Sequence, residues 1–248
     1  MPSIYLSPST QEYNPYYGGS GSEEYYMNLI ADAMEPYLIS SGIEFVRNTP
    51  DMTAASSIRA SNEGNYDAHI ALHSNAAPEN LAGQLRGTDV YYYPDSMRSR
   101  EIADIMVANL KAIYPLPDKV RAMPTTSIGE VTRTRAPSVL IEFAYHDNPE
   151  DSEWIKQNID LIGRDVVLAL TEYFRIPFVE PAPIQTATVE VESGNLNIRS
   201  APSLSAPIIG KAPDGAQIFV LGQYDDWYVV RYNDYEGYVK GDYIVLNY

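Results

Sequence analysis

His73 is the residue of this chain whose type and position most suggest chemistry. It ends an apolar run at residues 68–72 and is followed by small polar residues. Side chains alternate along a strand, so His69 and His73 share one face, and the loop after the run gives a substrate room to approach. An imidazole that a strand holds rigidly beside an open loop is well placed to bind a metal. A hydrogen-bonded histidine in the core would show the same sequence pattern.

Glu142 stands in a similar position, at the end of the apolar run 139–141. A carboxylate after three branched apolar residues is hard to explain as a solvated surface group, because burial without a partner costs free energy. The chain contains no cysteine, so disulfides and thiolate metal sites are excluded. Any metal must therefore be bound through nitrogen and oxygen atoms.

Short strands alternate with helices before residue 177. The strands are predicted at residues 4–6, 43–47, 67–76, 89–93 and 137–143, and the helices between Ser22 and Gly42 and over 51–65, 96–113 and 151–174. Apolar residues recur every three or four positions in the helices. This order predicts an α/β domain whose sheet is covered by helices and carries His73 and Glu142 at strand ends.

A proline-rich segment separates this domain from a second one. Residues 177–183 contain three prolines, which favour an extended linker. Short β-type runs follow at 188–192, 196–198, 217–221, 227–232 and 235–239. The predicted organisation is a catalytic domain at 1–176, a linker at 177–185 and a small closed all-β barrel at 186–248.

Charge and hydropathy exclude several classes of partner. The chain has 17 basic and 33 acidic residues and a formal net charge of −16, so it would repel nucleic acid. No apolar stretch is long enough to span a membrane, and residues 1–6 do not look like a signal peptide. We expect a monomer without nucleic-acid partners.

The C-terminal domain resembles bacterial SH3-like (SH3b) domains. The matching segments are 196–202 (LNIRSAP), 209–210 (IG), Gly215, 227–231 (WYVVR) and 237–239 (GYV). Tyr238 stands where the family usually has tryptophan. Because such domains commonly recognise peptidoglycan, the resemblance implies targeting to the cell wall.

The N-terminal domain resembles the zinc-dependent N-acetylmuramoyl-L-alanine amidases of the Amidase_3 type. The matching segments are 72–76 (LHSNA), 87–93 (GTDVYYY) and 139–151 (VLIEFAYHDNPED), and they occur in the family's order. The resemblance implies a helix-covered mixed sheet of the phosphorylase/hydrolase-like kind, a zinc ion and a peptidoglycan substrate. It also implies an extracellular or wall-associated protein, such as an autolysin or endolysin.

The resemblance assigns roles to individual residues. His73 would be a zinc ligand, and Glu24, at the start of the first long helix, would be another; Glu23 is the alternative if that helix is rotated. Glu142 would act as general base and then as general acid. Asn75, beside the histidine, is expected to contact substrate.

The first ligand of the family is missing. A histidine follows the first strand in the family, whereas this chain has residues 7–11 (SPSTQ) there. Gln11 is the candidate replacement, since an amide oxygen can bind a metal, with lower zinc affinity as the expected result. His69 lies four residues from His73, about 13 Å along a strand, which is too far for one ion and predicts a packed or hydrogen-bonded role.

Three further residues are candidates for substrate binding. His146 follows Glu142 closely and could bind metal, orient Glu142, contact the transition state or simply lie in an exposed loop. Arg133 and Arg135 could bind a peptide carboxylate or a muramoyl oxygen, or could pair with the acidic surface.

Three functions fit these residues. The first is a zinc amidase that cuts between N-acetylmuramic acid and L-alanine and is held on the wall by its SH3b domain. The alternative is a non-catalytic or regulatory peptidoglycan-binding protein that has lost the first zinc ligand. A third is another zinc-assisted peptidase on the same scaffold.

Overall fold

The computed structural model describes residues 1–247 and shows two compact units. The larger unit comprises Ser3–Glu35 and Phe45–Phe174. The smaller one comprises Met1–Pro2, Pro36–Glu44 and the chain from Arg175 onward. The boundaries given above, at 176 and 186, remain a prediction about how the chain divides into independent domains.

Six strands form a mixed sheet in the order β2-β1-β3-β6-β4-β5. They are β1 (Ser3–Pro8), β2 (Glu44–Arg47), β3 (Ala68–Asn75), β4 (Thr88–Tyr92), β5 (Val120–Pro124) and β6 (Ser138–Tyr145). Strands β1, β3 and β6 are parallel neighbours, whereas β4 is antiparallel to β6 and parallel to β5. Strands β3 and β6 are nearly continuous apolar runs because they are central and buried.

The helices follow from local signals in the sequence. They are α1 (Glu23–Ser41), α2 (Ala54–Glu63), α3 (Met97–Ile113), α4 (Gly129–Thr132), α5 (Pro149–Gln157) and α6 (Ile159–Phe174). Helix α1 begins after Ser22, whose hydroxyl accepts from the backbone N–H of Tyr25, and it ends at Gly42, which has a φ of 71°.

Some elements differ from the predictions. The prediction of a single helix over 151–174 is wrong, because Asn158 separates α5 from α6. Its backbone is not helical, at φ −124° and ψ 26°, and its side chain donates to the carbonyl of Trp154. Strand β5 and the four-residue helix α4 were not predicted, because neither shows a clear hydrophobic period.

The register of the sheet places three polar residues in one row. His73 on β3 is paired with Glu142 on β6, and Glu142 is paired with Asp89 on β4. Paired residues on neighbouring strands point to the same face, so all three side chains share one face of the sheet. On that face, a small apolar cluster of Ala71, Val131 and Leu140 packs next to the row.

The C-terminal strands form an antiparallel sheet in the order β13-β7-β10-β11-β12-β8-β9. They are β7 (Gln185–Val189), β8 (Asn195–Arg199), β9 (Ile208–Pro213), β10 (Gln217–Tyr224), β11 (Trp227–Tyr232), β12 (Tyr235–Lys240) and β13 (Ile244–Asn247). Buried residues of β7 to β12 share one core, which requires the sheet to curl around them. The predicted fold class, a helix-covered mixed sheet followed by an all-β SH3-like domain, is confirmed.

Within residues 1–247, none of the helices combines the length and the hydropathy needed to cross a bilayer.

Candidate functional site

The candidate site lies where strands β1, β3 and β6 end. His73 and Glu142 stand on β3 and β6, Gln11 lies in the loop after β1, and Glu23 is the first residue of α1. A cleft of about 320 Å³ opens over this point and is lined by residues that include Gln11, Tyr13 and His73. The β1 loop and the start of α1 therefore bring polar groups to the strand that carries the histidine.

His73 lies between two carboxylates. Its Nδ1 is 2.8 Å from Oε1 of Glu23, and its Nε2 is 3.2 Å from Oε2 of Glu130. Burial works to lower the pKa of His73, but the hydrogen bonds to Glu130 and Glu23 outweigh it, so the pKa lies well above its usual value. In the absence of a metal, His73 is an imidazolium bonded to both carboxylates.

Glu23, the alternative to Glu24 in the sequence analysis, is the acid at the start of α1 that faces His73. Successive helix residues point about 100° apart, so only one of the two can face the sheet. Glu23 is 1% exposed, and its Oε2 accepts from Nδ2 of Asn14 at 2.7 Å. Burial works to raise the pKa of Glu23, but its hydrogen bonds to His73 and Asn14 lower it overall.

Gln11 is the third polar residue of the site, next to His73 and Glu23. Its Nε2 lies 3.4 Å from Nδ1 of His73 and 3.4 Å from Oε1 of Glu23. Its Oε1 accepts from the hydroxyl of Tyr13 at 3.0 Å and from Nδ2 of Asn14 at 3.2 Å. Asn14 Nδ2 also donates to Glu23, so it acts as a donor to Gln11 as well, and the Gln11 atom that it contacts is the oxygen. The NH₂ group of Gln11 is therefore the part of the amide that faces His73.

Glu130 on α4 is a functional candidate that sequence reasoning missed. It is 5% exposed, and its Oε1 accepts from the hydroxyl of Ser7 at 2.6 Å and lies 3.3 Å from Nε2 of His69. Burial works to raise the pKa of Glu130, but its hydrogen bonds to His69 and His73 hold it far below the usual range. As predicted, His69 is buried and hydrogen-bonded.

Glu142 has a buried carboxyl oxygen with no partner. Its Oε2 forms no hydrogen bond within the described part of the chain. Burial raises the pKa of Glu142 to about 7; the positive charge of His73 opposes this effect, and the charges of Glu23 and Asp89 add to it. Asp89 itself is held by Arg121 at 2.8 Å. Oε2 of Glu142 is thus buried without a protein partner on β6, and Glu142 is not among the residues that line the cleft at His73.

The proposed substrate contacts are placed as follows. Asn75 ends β3, half-buried, and its carbonyl accepts from the backbone N–H of His146. His146 follows β6 and is buried rather than exposed, with its Nδ1 2.9 Å from the carbonyl oxygen of Ser74 on β3. Arg133 and Arg135 are exposed and do not line the cleft at His73.

The site contains two groups of the kinds that bind divalent metals, the imidazole of His73 and the carboxylate of Glu23. Nδ1 of His73 lies 2.8 Å from Oε1 of Glu23, and each of these atoms lies 3.4 Å from the amide nitrogen of Gln11, which cannot itself bind a metal. The ligand atoms of a tetrahedral zinc ion are roughly 3.3–3.6 Å apart. Glu130 bonds the other nitrogen of His73, as carboxylates commonly do for a metal-binding imidazole.

The donor set is nevertheless smaller than a usual zinc site. Among residues 1–247, no group of three His, Cys, Asp or Glu side chains comes together as a metal site. A third protein ligand must therefore come from Gln11, after its amide turns its oxygen inward. Otherwise, water must supply the third position.

Comparison with known proteins gives a consistent result. The family model described as N-acetylmuramoyl-L-alanine amidase matches residues 11–172, and the model described as bacterial SH3 domain matches residues 194–245. The probable cell wall amidase LytH of Staphylococcus aureus is 27% identical over 110 residues, which are 44% of this chain and 35% of that protein. The chain thus aligns with about a third of the length of this relative.

Solved structures show the same fold. The catalytic domain of CwlV, an N-acetylmuramoyl-L-alanine amidase from Bacillus (Paenibacillus) polymyxa var. colistinus, superimposes with a TM-score of 0.62 at 16% identity, covering 71% of this chain and 100% of that one. The N-acetylmuramoyl-L-alanine amidase AmiC2 of Nostoc punctiforme gives 0.61 at 15% identity, with 70% and 97% covered.

Proposed function

Because the chain belongs to the N-acetylmuramoyl-L-alanine amidase family, we propose that it hydrolyses the amide between N-acetylmuramic acid and L-alanine in peptidoglycan. The observation that carries this proposal is the buried, unpartnered carboxyl oxygen of Glu142, one strand away from His73. A protein that only binds the wall would gain nothing from such a group, whose burial costs free energy.

The proposed cofactor is zinc. Glu23 and His73 would hold the ion, His73 through Nδ1 because Nε2 faces Glu130, and Gln11 would complete the site. When bound, zinc would polarise the scissile carbonyl and make a bound water more acidic. With a neutral amide in place of the family's histidine, zinc affinity is expected to be lower than in relatives that keep it.

Glu142 would carry the proton through the reaction. Its free oxygen would accept a proton from the attacking water as the new C–O bond forms on the lactyl carbonyl carbon. The same carboxyl group would then donate that proton to the nitrogen of L-alanine as the C–N bond breaks. No hydrogen-bond donor within the described residues competes for Oε2.

The peptide and the wall would be bound by other parts of the chain. The exposed guanidinium groups of Arg133 and Arg135 would bind carboxylates of the stem peptide, with Asn75 as a closer contact. His146, predicted from the sequence as another contact, is buried against Ser74 and would instead support β3. The SH3-like domain would bind peptidoglycan and keep the enzyme on the wall. We therefore propose action at the cell wall, outside the membrane.

A second function is favoured by one observation. Gln11 turns its NH₂ group toward His73, and both ring nitrogens of His73 face carboxylates. The polar groups of His73 therefore have hydrogen-bond partners without a metal. If this arrangement persists in the presence of zinc, the domain would be a peptidoglycan-binding or regulatory protein without hydrolytic activity.

Mass spectrometry of digested peptidoglycan separates these functions. The full chain with added zinc is expected to release stem peptides that begin with L-alanine and to leave the glycan strands intact. The Glu142→Gln variant should release almost none of these peptides while still binding the wall. Cuts elsewhere in the peptide would indicate a peptidase, and intact wall with retained binding would support the non-catalytic function.

A further inference from the structure

We propose that Glu130 is a positioning residue for His73: it holds the proton on Nε2 and thereby presents Nδ1 to Glu23 and Gln11. This inference deepens the proposed function and rests on it wherever zinc is concerned. Its basis is the contact between Oε2 of Glu130 and Nε2 of His73, at 3.2 Å, in a buried setting.

The chemistry of the two groups fixes the orientation. An ionised carboxylate can only accept hydrogen bonds, so the ring nitrogen that faces it must carry a proton. By the same argument, Nδ1, which is 2.8 Å from Glu23 and 3.4 Å from Gln11, carries a proton in the metal-free protein. With Nε2 kept protonated by Glu130, Nδ1 is the nitrogen that would give up its proton and offer a lone pair to a metal. Glu130 therefore selects the form of His73 that can bind a metal at this corner.

Glu130 is itself held in place. Its Oε1 accepts from the hydroxyl of Ser7 at 2.6 Å and from Nε2 of His69 at 3.3 Å. His69 in turn lies 3.0 Å from the hydroxyl of Ser61 and stacks on the ring of Tyr5, with centroids 5.4 Å apart. A chain of hydrogen bonds thus runs from His73 through Glu130 and His69 to α2, and it keeps the carboxylate from turning away.

The same chain explains why β3 carries two histidines on one face. Their backbone positions are too far apart for a shared metal ion, yet both rings reach the single carboxylate of Glu130. His69 bonds Oε1 and His73 bonds Oε2, so each histidine uses a different oxygen. The role of His69 is to fix Glu130, and the role of Glu130 is to fix His73.

Zinc affinity of the full chain tests the proposal. The zinc dissociation constant of wild type and of Glu130→Gln would be measured by competition with a chromogenic chelator. Removing a carboxylate that orients a metal-binding histidine typically weakens metal binding roughly 10- to 100-fold, and we expect a loss of that size. Asp165→Asn is the matched control: it also replaces a buried carboxyl group by an amide, but on α6 and outside the site, and its zinc affinity should equal that of wild type.

Nitrogen-15 NMR of the three histidines gives a readout that does not depend on activity or on a variant that folds. In wild type, Nε2 of His73 should carry a proton that exchanges slowly with solvent, with and without zinc. A wild type whose Nε2 lacks this proton would overturn the proposal, as would a folded Glu130→Gln variant with unchanged zinc affinity. If wild type binds no zinc at all, the proposed function fails, while the NMR signal still decides the role of Glu130.

Discussion

Replacing Glu142 by glutamine is expected to remove nearly all turnover. The same substitution is expected to stabilise the metal-free protein at alkaline pH. The carboxyl group has a pKa of about 7 in the folded protein and an ordinary value of 4.5. The folded state therefore binds a proton more tightly than the unfolded state does. Glu142 lowers the free energy of unfolding as the pH rises from about 4.5 to 7, and the full effect persists above that range.

The size of the effect follows from the pKa difference. A shift from 4.5 to about 7 corresponds to about 3 kcal/mol at 1.36 kcal/mol per pKa unit. Glutamine carries no charge and has nearly the same shape. The unfolding free energy of Glu142→Gln should exceed that of wild type by up to about 3 kcal/mol at pH 8 and by close to nothing at pH 4.

The assay is urea unfolding of chelator-treated protein across this pH range, together with muropeptide release by the zinc-loaded enzyme. Loss of a general acid–base group typically lowers turnover by roughly 10²- to 10⁴-fold. Equal stability of wild type and variant at pH 8 would refute a buried, unpartnered carboxylate. Normal turnover would remove Glu142 from the mechanism.

Asp165→Asn is the matched control for this experiment. Asp165 on α6 is 5% exposed, its Oδ2 has no partner among the described residues, and burial raises its pKa to about 6. It stands outside the candidate site, so the substitution should stabilise the protein by about 2–3 kcal/mol at pH 8 without changing turnover. If Asp165→Asn also lost activity, replacing a buried carboxyl group would impair turnover even outside the site. The loss in Glu142→Gln would then not identify Glu142 as a catalytic residue.

Four further variants test the site. Glu23→Gln should lower zinc affinity and turnover by at least about 100-fold, whereas Glu24→Gln should leave both unchanged; the reverse result, read by chelator competition, would restore the assignment made from the sequence. Gln11→His should tighten zinc binding by at least about tenfold, equivalent to 1.4 kcal/mol, and unchanged affinity would exclude position 11 from the metal site. Replacing Arg133 and Arg135 together by alanine should raise KM for peptidoglycan fragments with kcat retained, and an unchanged KM would argue against substrate contact.

The sequence predicted the scaffold of the site well because its strands have strong local signals. The apolar runs before His73 and Glu142 are long enough to identify β3 and β6, and the acids after Ser22 mark the start of α1. Parallel pairing of β3 and β6 then brings the two residues into one row. Nothing beyond strand ends and a helix start was needed to place His73 and Glu142 near each other.

Other features depend on packing that no local pattern contains. Whether Glu23 or Glu24 faces the sheet is decided by the rotation of α1, a difference of one residue. Glu130 lies in a helix of four residues without a hydrophobic period, and only the fold brings it to His69 and His73. The signal that could have found it is the second histidine of β3, whose burial requires a polar partner.

The most direct test of the account is diffraction at the zinc absorption edge from crystals of the full chain grown with zinc. The account predicts one anomalous peak about 2.0–2.2 Å from Nδ1 of His73 and from a carboxylate oxygen of Glu23. The amide oxygen of Gln11 should turn toward the ion, and Glu142 should lie beside it. A map with no peak between His73 and Glu23, while Gln11 keeps its NH₂ group inward, would contradict the hydrolase and leave a wall-binding protein.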